Sequence, residues 1–316
     1  MEKQSPESFR DKKIIMEIYC VCCGNTKGEM FLKGLDSVYS ENPTDIIRCY
    51  SCGNLISSPI LSDSELQKIY STTYLYPVHL LVLGEKKLRA RGLAKKVRKL
   101  FSNNRDFNIM EIGCMFGYLI ELLKEDYSVK GIDIGTDAVR YCKSKGLDVE
   151  NMSAESFTQN DKGKYDVIII SHVLEHLSDP FEVLTKLKER LKEGGRVIIL
   201  VPNSNSMQAR LFGRFWGWWQ VPVHVNHFNR SSLSALAKRS GYELRSVSYK
   251  GGDSLMILLN FINLFRFKNK NEGPAFLQKT VIRIFSIIFR FWYFLGNEEI
   301  TVEFLPLSDN PHHTVS

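Results

Sequence analysis

Apolar runs separated by polar turns fill the middle of the chain and predict strands that alternate with helices. The clearest run, Tyr165–Ser171, reads YDVIIIS and is of the kind that is buried on both faces of a parallel sheet. The segment after it has apolar residues at helical spacing and closes at Gly194 and Gly195. Strands that alternate with helices are joined by right-handed crossovers, so we expect a mostly parallel sheet. The predicted strands are 108–112, 129–134, 165–171, 196–201, 243–249 and 300–305, and the predicted helices between them are 118–124, 137–145, 180–191 and 231–240.

The pattern changes on both sides of this alternation. Residues 62–105 are largely helical in pattern, and Ser62 with Glu65 forms a capping-box sequence at their start. The segments 255–267 and 276–295 are strongly apolar and predict two helices inserted before the last strand. We therefore divide the chain into a flexible tail (1–16), a cysteine-rich module (17–57), a helical linker (58–106), an α/β core (107–252), an apolar helical insertion (253–296) and a last strand with a tail (297–316).

Composition and charge limit the class of protein. The 316 residues suffice for one large α/β domain and a small second module, with 44% hydrophobic and 24% charged residues as in ordinary globular proteins. The net charge of +7 fits an anionic partner, such as a phosphorylated substrate, an acidic membrane surface or RNA, without choosing among them. The N-terminal charges have no apolar stretch behind them, so we expect no signal peptide and a cytoplasmic location.

Four of the seven cysteines form two CxxCG knuckles near the N-terminus. Two cysteines separated by two residues can clasp one metal ion, and the following glycine permits a tight turn. Four thiolates suit tetrahedral zinc, and a chain without a secretory signal favours metal ligation over disulfides. We predict a closed, structural zinc site, with a hairpin filling the rather long stretch between the knuckles; the alternative is a site that has lost its metal. The predicted ligands are Cys20, Cys23, Cys49 and Cys52, with Cys22 as a spare.

A glycine-rich turn at 110–117 follows the first strand of the core and opens its first helix. Glycine there lets the backbone turn sharply and approach a ligand closely. Asp133 ends the next strand, where an acid would hold ribose hydroxyls. Met115 occupies the middle glycine position of the phosphate fingerprint, which argues against a dinucleotide and allows a cofactor without phosphate, such as S-adenosylmethionine. The alternative is an ordinary strand–helix turn beside a solvent-facing aspartate.

Together these stretches resemble the class I S-adenosylmethionine-dependent methyltransferases, and in particular the branch called family 23 or 11, which is related to ubiquinone-type O-methyltransferases. The resemblance covers roughly residues 17–250. The second knuckle, with the segment 63–70, is similar to the zinc-ribbon front end found on many family 23 methyltransferases. The stretches that carry the resemblance in the core are EIGCMFG (111–117), GID (131–133), AE (154–155), YDV (165–167), HVLEHLSDP (172–180) and LKEGGRVI (191–198).

The resemblance implies a Rossmann-like α/β fold, with a seven-stranded mixed sheet flanked by helices and the last strand antiparallel. Counted as in that family, 165–171 is the fourth strand and 196–201 the fifth. It also implies a pocket in which the glycine turn holds the methionine moiety, Asp133 holds the ribose, and residues after the third and fourth strands lie by the adenine and line the pocket. The cofactor-binding residues implied in this way are Glu111, Gly113, Cys114, Gly117, Asp133, Ile134, Ala154, Glu155, Ser171 and His172.

Two groups of histidines could supply a catalytic base. Methyl transfer from a sulfonium has a good leaving group, so the enzyme mainly aligns the acceptor and removes its proton. His224 and His227 lie on the loop after the fifth strand, where this class builds its acceptor site, although either could be structural, and His227 more so. His172 and His176 follow the fourth strand and would share a face if that segment were helical. We predict His224, His227 and His172 as catalytic; His172, Glu175 and His176 could instead bind a divalent metal, since some ubiquinone-type enzymes do so at the matching loop.

Two further features each leave two interpretations open. The tryptophans at 216, 218 and 219 form either a lid packed on the core or an aromatic platform for the acceptor. A run of cations with no acid between Glu85 and Asp106 forms either an exposed helix face or an anion-binding one. This run consists of Lys86, Lys87, Arg89, Arg91, Lys95, Lys96, Arg98 and Lys99.

The second helix of the insertion, 276–295, carries a narrow polar stripe on an otherwise apolar surface. Three cations in about 20 residues argue against a membrane-spanning helix. A wide apolar face with a basic stripe suits a helix that lies in a membrane interface. The alternative is a helix buried against the core or a partner subunit. The stripe consists of Lys279, Arg283, Ser286 and Arg290.

We predict an enzyme that transfers a methyl group from S-adenosylmethionine to an oxygen, or as a second choice a carbon or nitrogen, of a small or lipid- or sugar-linked metabolite. Peripheral membrane contact through 253–296 and a homodimer are further expectations. One alternative is an RNA methyltransferase that uses the zinc module and the basic helix. Against it, and against nucleic acid as a partner, the loop after the fourth strand reads HVLE (172–175) instead of Asn/Asp-Pro-Pro-Tyr. The other alternative is a non-catalytic S-adenosylmethionine-binding protein.

Overall fold

A computed structural model describes residues 15–37, 39–61, 65, 69, 77–101, 106–251, 254–266 and 296–307. The strands are β1 (Ile15–Glu17), β2 (Lys27–Leu35), β3 (Thr44–Cys49), β4 (Leu55–Ser58), β5 (Asn108–Ile112), β6 (Ser128–Asp133), β7 (Val149–Asn151), β8 (Tyr165–Ser171), β9 (Leu191–Pro202), β10 (Asn226–His227), β11 (Tyr242–Lys250) and β12 (Glu299–Pro306). The helices are α1 (Pro77–Leu100), α2 (Tyr118–Leu123), α3 (Thr136–Ser144), α4 (Ala154–Asn160), α5 (Pro180–Leu187), α6 (Met207–Phe212), α7 (Arg230–Arg239) and α8 (Ser254–Arg266).

One mixed sheet of seven described strands forms the core, in the order β11-β12-β9-β8-β5-β6-β7. The pairs β8–β9, β5–β8, β5–β6 and β6–β7 are parallel. The last strand, β12, lies antiparallel between β9 and β11. The expected seven-stranded mixed sheet with an antiparallel last strand is therefore confirmed.

The central strand β8 is covered on both faces, as its unbroken apolar run predicts. Ile168 and Ile170 pack on the face covered by α4, α5 and α7, whereas Val167 and Ile169 pack on the face covered by α1, α2 and α3. All four side chains are at most 1% exposed. Because side chains alternate along a strand, one short run supplies both halves of the core.

The glycines that were predicted to close a helix lie inside a strand instead. Helix α5 ends at Leu187, a 3₁₀ turn covers Lys188–Arg190, and β9 begins at Leu191. Between β8 and β9 the register jumps at this point, from Tyr165 opposite Leu191 to Val167 opposite Arg196. Gly194, with φ +71°, lies in this irregular stretch. The two glycines therefore form a bulge at the start of β9, which sequence patterns cannot separate from a helix end.

Several short elements were not predicted, among them β7, α4, α6 and β10. They span between two and seven residues, which is too short for a hydrophobic period to be recognised. The available signal was capping, because Ser153 accepts a hydrogen bond from Ser156 N at the start of α4, and Ser206 accepts one from Ala209 N at the start of α6.

A second sheet, in the order β1-β2-β3-β4-β10, forms the N-terminal part of the molecule. Strands β1 to β4 with their connecting turns (15–61) are called the N-terminal module below. The β2–β3 hairpin lies between the two cysteine knuckles, as expected from their spacing. The fifth strand of this sheet, β10, lies about 170 residues further along the chain, so the module and the core are joined by main-chain pairing.

The basic residues of α1 point in two directions. Arg89 pairs with the buried Glu299, and Lys96 Nζ lies 3.0 Å from Glu303 Oε1, so these cations face β12. Other cations of the run are exposed to solvent. Part of the run is thus an exposed face and part forms internal ion pairs, since about every third or fourth residue of a helix shares a face; the anion-binding interpretation stays a prediction. The exposed cations are Lys87, Arg91, Lys95, Arg98 and Lys99.

The first helix of the predicted insertion, α8, packs on protein. Ile257 is 1% exposed, and Asn260 Nδ2 donates to Gln208 Oε1 at 2.6 Å. The second predicted helix, 276–295, and its basic stripe lie outside the described residues. Within the described part of the chain, no helix combines the length and apolar character needed to cross a membrane.

Candidate functional site

Four cysteine thiols meet between the two knuckles of the N-terminal module. Cys20 Sγ lies 3.5 Å from Cys52 Sγ, and Cys23 Sγ lies 3.5 Å from Cys49 Sγ. The four sulfurs all lie within 4.8 Å of one another. Sulfurs bound to one tetrahedral zinc at about 2.3 Å are about 3.8 Å apart, whereas a disulfide requires about 2.05 Å. The spacing is therefore that of a four-thiolate metal site, and the structure brings the four predicted ligands together.

Cys22 is buried beside this cluster without belonging to it. Burial, followed by its hydrogen bonds to Cys20 and Cys52, raises the pKa of Cys22 well above its usual range. Hydrogen bonds to Cys22 and Cys52 lower the pKa of Cys20. Cys22 therefore remains a thiol that donates to a neighbouring thiolate, which fits its predicted place as a spare cysteine.

The loop after β5 turns through three left-handed residues. The φ angles are +77° at Gly113, +48° at Met115 and +68° at Gly117. A Cβ on Gly113 would lie 2.1 Å from Val173 Cγ2, and one on Gly117 would lie 2.5 Å from Leu147 Cδ1. Both positions need glycine, for conformation and for space. Met115 keeps the left-handed turn at the position where a dinucleotide fingerprint has a glycine.

Two carboxylates lie beside this loop, at the ends of β5 and β6. Asp133 accepts hydrogen bonds from Met115 N (2.7 Å) and Gly135 N (2.8 Å), which leaves each oxygen a lone pair for a hydroxyl. Glu111 is 6% exposed, and its Oε2 has no hydrogen-bond partner. Burial, and then the charge of Asp133, raises the pKa of Glu111. A buried carboxylate of this kind fits a ligand that brings a cation and donors, as the ammonium and ribose of S-adenosylmethionine do.

The other predicted cofactor residues lie around the same edge of the sheet, but the side chain of Cys114 points into the core. Ile134 follows Asp133 and is 54% exposed, while Ala154 and Glu155 open α4 after β7. Cys114 is buried, and its Sγ lies 2.9 Å from where a Cβ on Gly131 would be. The side chain of Cys114 is therefore part of the core, and its backbone is the part that belongs to the loop.

His172 is held between two carboxylates. It follows Ser171 at the end of β8 with φ +54°, a strained conformation for a residue other than glycine. Its Nδ1 lies 3.1 Å from Glu175 Oε1 and its Nε2 lies 3.4 Å from Glu299 Oε1, while its ring stacks on Trp218. Burial and a nearby arginine lower its pKa, but the two carboxylates outweigh them and leave the pKa of His172 raised. With a carboxylate at each ring nitrogen, His172 is better suited to hold Glu175 and Glu299 as a charged imidazolium than to accept a proton as a free base.

The segment of His172 and His176 is not an α-helix, so the condition for their sharing a face is not met. A 3₁₀ turn spans Leu174–His176, and the left-handed His172 precedes it, so the two residues do not share a helix face. Instead, the side-chain ligand atoms of Glu175, His176 and His224 lie within 4.8 Å of one another. These three residues are called the histidine–glutamate group below, and a cation bound here would use this set rather than the predicted one.

Backbone carbonyls fix both imidazoles of this group. His176 Nδ1 lies 3.0 Å from Val223 O, and His224 Nδ1 lies 2.8 Å from Trp218 O. A carbonyl oxygen only accepts, so both Nδ1 atoms carry the proton and both Nε2 atoms carry a lone pair. Burial lowers the pKa of both, and neighbouring histidines lower that of His224 further. Glu175 Oε2 has no hydrogen-bond partner, so a neutral imidazole pair lies beside an unsatisfied carboxylate oxygen.

His227 is bonded to the N-terminal module. Ser57 Oγ lies 2.7 Å from His224 O and 3.0 Å from His227 Nε2. The carbonyl takes the hydroxyl proton, so His227 must donate from Nε2. Burial lowers the pKa of His227 to about 3. His227 is therefore a neutral hydrogen-bond donor, which is the structural role that the sequence left open beside the catalytic one.

The tryptophan segment packs on the core as a lid. Trp216, Trp218 and Trp219 are 1%, 7% and 4% exposed. The indole of Trp218 lies parallel to two imidazoles, with centroids 5.1 Å from His172 and 6.4 Å from His224. Trp218 thus covers the histidines from solvent, and the lid interpretation is favoured over an open aromatic platform.

Comparison with known proteins identifies the family. A sequence profile described as a methyltransferase domain matches residues 86–247, which is just over half of the chain. The matched segment includes most of α1, the glycine loop, Asp133, the histidine–glutamate group and β11. The chain belongs to this methyltransferase family. The loop and carboxylates at the ends of β5 and β6 suit S-adenosylmethionine, the cofactor that the sequence predicts.

The methyltransferase has curated relatives that match it in part. It is similar to a ubiquinone biosynthesis O-methyltransferase of Hydrogenovibrio crunogenus, with 29% identity over 160 residues, 46% of this chain and 66% of the relative. It thus spans slightly less than two thirds of that relative. An uncharacterized protein of Methanocaldococcus jannaschii is 26% identical over 192 residues, 60% of this chain and 82% of the relative. A solved S-adenosylmethionine-dependent methyltransferase from Archaeoglobus fulgidus has 22% identity and a TM-score of 0.46, covering 71% of this chain and 98% of that one.

Sequence reasoning missed several residues of the methyltransferase site. Lys86 Nζ lies 2.9 Å from Met115 Sδ above the glycine loop, and burial lowers the pKa of Lys86 to about 8. Glu299 and Ser57, which bond to His172 and His227, were also unnoticed. The signal for Glu299 was present, because an acid within a buried apolar strand needs a partner. No local pattern marks Ser57, since its partners are far away in sequence.

We expect the methyltransferase to lose stability as the pH falls below about 6.5. Folding lowers the pKa of His227 from 6.5 to about 3, and it lowers the pKa of His176 and His224 as well. As the pH falls, the unfolded chain therefore binds protons before the folded chain does. Each such group lowers the free energy of unfolding by about 1.4 kcal/mol per pH unit between its unfolded and its folded pKa. His172, with its raised pKa, offsets part of this loss. Urea unfolding at pH 7.5, 6.5 and 5.5 measures the effect.

The matched variant for this measurement is His227→Gln, which keeps a donor near Ser57 and removes one titrating group. Its unfolding free energy should fall less steeply with pH than that of the wild type. A wild-type urea midpoint that is constant from pH 7.5 to 5.5 would contradict the buried neutral state of these histidines.

Proposed function

We propose that the protein transfers the methyl group of S-adenosylmethionine to a hydroxyl oxygen of a small or lipid- or sugar-linked metabolite, with His224 as the base. One observation carries this proposal. The glycine loop with Asp133 and the histidine–glutamate group follow neighbouring strands of one parallel sheet and so lie at the same edge. A cofactor site and a neutral base at one edge are what methyl transfer requires.

The cofactor roles proposed here follow the geometry of the loop. Glu111 Oε2 would accept from the methionine ammonium, and the free lone pairs of Asp133 would accept from the ribose hydroxyls. Ile134, Ala154 and Glu155 would lie along the adenine. When bound, S-adenosylmethionine supplies a methyl group on a sulfonium, which is a good leaving group. The chain then has to orient the acceptor and remove its proton.

The base is assigned to His224 rather than to His172 or His227. His224 has its lone pair on Nε2, because Nδ1 donates to Trp218 O. An imidazolium formed at His224 would lie within reach of Glu175, whose Oε2 has no other partner. Coulombic attraction in a buried site would stabilise that product. His172 would hold Glu175 in place through its 3.1 Å contact.

Oxygen is favoured as the acceptor atom by two observations. The curated relative from Hydrogenovibrio crunogenus is named an O-methyltransferase. In addition, Glu175 Oε2 is buried without a hydrogen-bond partner beside His172, and the neighbouring Glu299 Oε2 lies 4.0 Å from Lys250 Nζ, so it too has room for a hydrogen-bond donor. Carboxylate oxygens of this kind accept from hydroxyl donors, so an acceptor with more than one hydroxyl would satisfy them.

The four thiols of the N-terminal module are proposed to bind one structural zinc. The sulfur spacing and the donor set support this assignment. All four coordination positions are filled by protein, so the ion would stabilise the fold and take no part in methyl transfer.

The rival functions keep weaker support. An RNA methyltransferase would use the cations of α1, but Arg89 and Lys96 of that run are engaged in ion pairs with β12. A non-catalytic binding protein would not need a neutral imidazole with a fixed tautomer. Peripheral membrane contact through 253–296 stays a prediction, since the helix with the basic stripe lies outside the described residues.

Asp133→Ala should weaken S-adenosylhomocysteine binding by about 1–3 kcal/mol, because the ribose loses a charged hydrogen-bond acceptor. Isothermal calorimetry measures the change. The control is Asp137→Ala, an exposed aspartate at the start of α3 that pairs with Arg140 and should leave the affinity unchanged. Equal affinities for wild type and Asp133→Ala would refute the cofactor site.

His224→Gln should leave S-adenosylhomocysteine affinity intact and reduce methyl transfer by about 10²–10⁴-fold, the usual loss when a general base is removed. The assay follows S-adenosylhomocysteine formation with a panel of phenols, quinols and glycosides. A variant that turns over as fast as the wild type on an active acceptor would remove His224 from the mechanism. Absence of turnover by the wild type with every class of acceptor would favour the non-catalytic alternative.

Protein purified without chelator should contain one zinc per chain, and Cys49→Ser should release it and lower the thermal stability of the N-terminal module. Cys22→Ser is the matched variant, because Cys22 lies outside the four-sulfur group and its replacement should retain the metal. Metal analysis by mass spectrometry gives the stoichiometry. Wild-type protein free of zinc would contradict the assignment.

A further inference from the structure

The loop that carries His224 is continuous with the sheet of the N-terminal module. The segment 220–228 is called the acceptor loop here, and its strand β10 pairs antiparallel with β4. In this pairing Asn226 is opposite Ile56, and His227 is opposite Leu55. Strand β4 begins three residues after Cys52. The sheet that contains the thiol cluster therefore ends at the loop of the candidate base.

Ser57 makes three hydrogen bonds across this junction, where Ser37 Oγ also donates to Val221 O. It is 0% exposed, and its backbone N donates to Val225 O at 3.0 Å. Its hydroxyl donates to His224 O at 2.7 Å and accepts from His227 Nε2 at 3.0 Å. The serine hydroxyl is thus used both as a donor and as an acceptor on the acceptor loop, once just before β10 and once within it.

The acceptor loop is also fixed from its other side. Val225 N donates to Glu175 O at 2.9 Å, and Asn226 Nδ2 donates to Leu177 O at 3.0 Å. Asn226 in turn accepts from Asn54 Nδ2 at 3.1 Å. The loop therefore lies between the module and the turn after β8, and the position of His224 depends on both.

The second cysteine knuckle is hydrogen-bonded to the residues that lead into β4. Cys49 N donates to the backbone oxygen of Asn54 at 2.9 Å, and Gly53 N donates to the backbone oxygen of Cys49 at 3.0 Å. The side chain of Asn229, just beyond the acceptor loop, donates to the Gly53 carbonyl at 2.8 Å. A change at the second knuckle would therefore shift the residues that lead into Ser57.

We propose that the metal-bound N-terminal module positions the acceptor loop, with Ser57 as the positioning residue, so that occupancy of the four-thiol site determines where His224 lies. The proposal rests on the proposed function for the roles of His224 and of the thiols. A two-residue strand such as β10 cannot hold its place alone, and without metal the knuckles lose the binding energy that folds them.

The cofactor site should be independent of this coupling. Asp133 takes its hydrogen bonds from Met115 and Gly135, which lie in the loops after β5 and β6. These loops follow β5 and β6 of the seven-stranded sheet, whereas β10 belongs to the five-stranded sheet. Loss of metal should therefore disturb the acceptor half of the site and leave cofactor affinity unchanged.

Nitrogen NMR of protein labelled with ¹⁵N-histidine tests the proposal without an acceptor. The chain has seven histidines, and His227→Gln assigns the signal of interest. In the metal-bound protein His227 should show the Nε2–H tautomer, and His224 the Nδ1–H tautomer. Ser57→Ala is compared with Ser58→Ala, because Ser58 is the neighbour in β4 whose side chain points to the opposite face.

Removal of zinc with a chelator should convert the His227 signal to a mixture of tautomers, while the calorimetric affinity for S-adenosylhomocysteine stays the same. Ser57→Ala should give the same spectrum with the metal retained, so the result does not depend on whether the metal-free module folds. Ser58→Ala should match the wild type.

Two results would overturn the positioning role. One is a His227 signal that is unchanged both on metal removal and in Ser57→Ala. The other is a loss of S-adenosylhomocysteine affinity in parallel with the metal, which would make the module a general stabiliser. A wild-type protein that shows the tautomers described but does not bind S-adenosylhomocysteine would instead refute the proposed function and leave the coupling intact.

Discussion

A buried carboxylate, Glu299, joins three parts of the chain that are distant in sequence. It is 1% exposed, pairs with Arg89 of α1, and lies 3.4 Å from the imidazole of His172 at the end of β8. Burial alone would raise its pKa, but the arginine and the histidine outweigh burial and hold the pKa of Glu299 below its usual range. Removal of one partner of such a pair leaves an uncompensated buried charge, which costs about 3–5 kcal/mol. The place of His172, and through it Glu175, depends on this interaction.

The two halves of the proposed site are built on different parts of the fold. The cofactor half uses the turn and carboxylates after β5 and β6, which are local in sequence and follow from the parallel sheet. The acceptor half combines β8, the tryptophan lid, β12 and the N-terminal module, which meet through long-range contacts. This division is the basis for the proposal that a metal site can be structural in its chemistry and still bear on the reacting groups.

The sequence predicted the turn after β5 and the acid at the end of β6 where the structure has them, and it missed contacts of the histidines. The run at β8 and the spacing from Gly113 to Asp133 identify strands, turn and acid, because each signal lies within one βαβ unit. The four thiols were found for the same reason, since each knuckle is a local motif. The pairing of β10 with β4 could not be predicted, because register between strands about 170 residues apart leaves no local pattern. The left-handed conformation of His172 could not be predicted either, since the four-residue spacing to His176 is meaningful only in a helix.

A crystal structure of the zinc-bound chain with S-adenosylhomocysteine tests the central claim most directly. The account predicts the ribose hydroxyls on Asp133, the amino group near Glu111, and the sulfur directed towards the acceptor loop that carries His224. A ligand bound elsewhere, or one whose sulfur points away from the histidine–glutamate group, would contradict the assignment of this edge of the sheet as the site of methyl transfer.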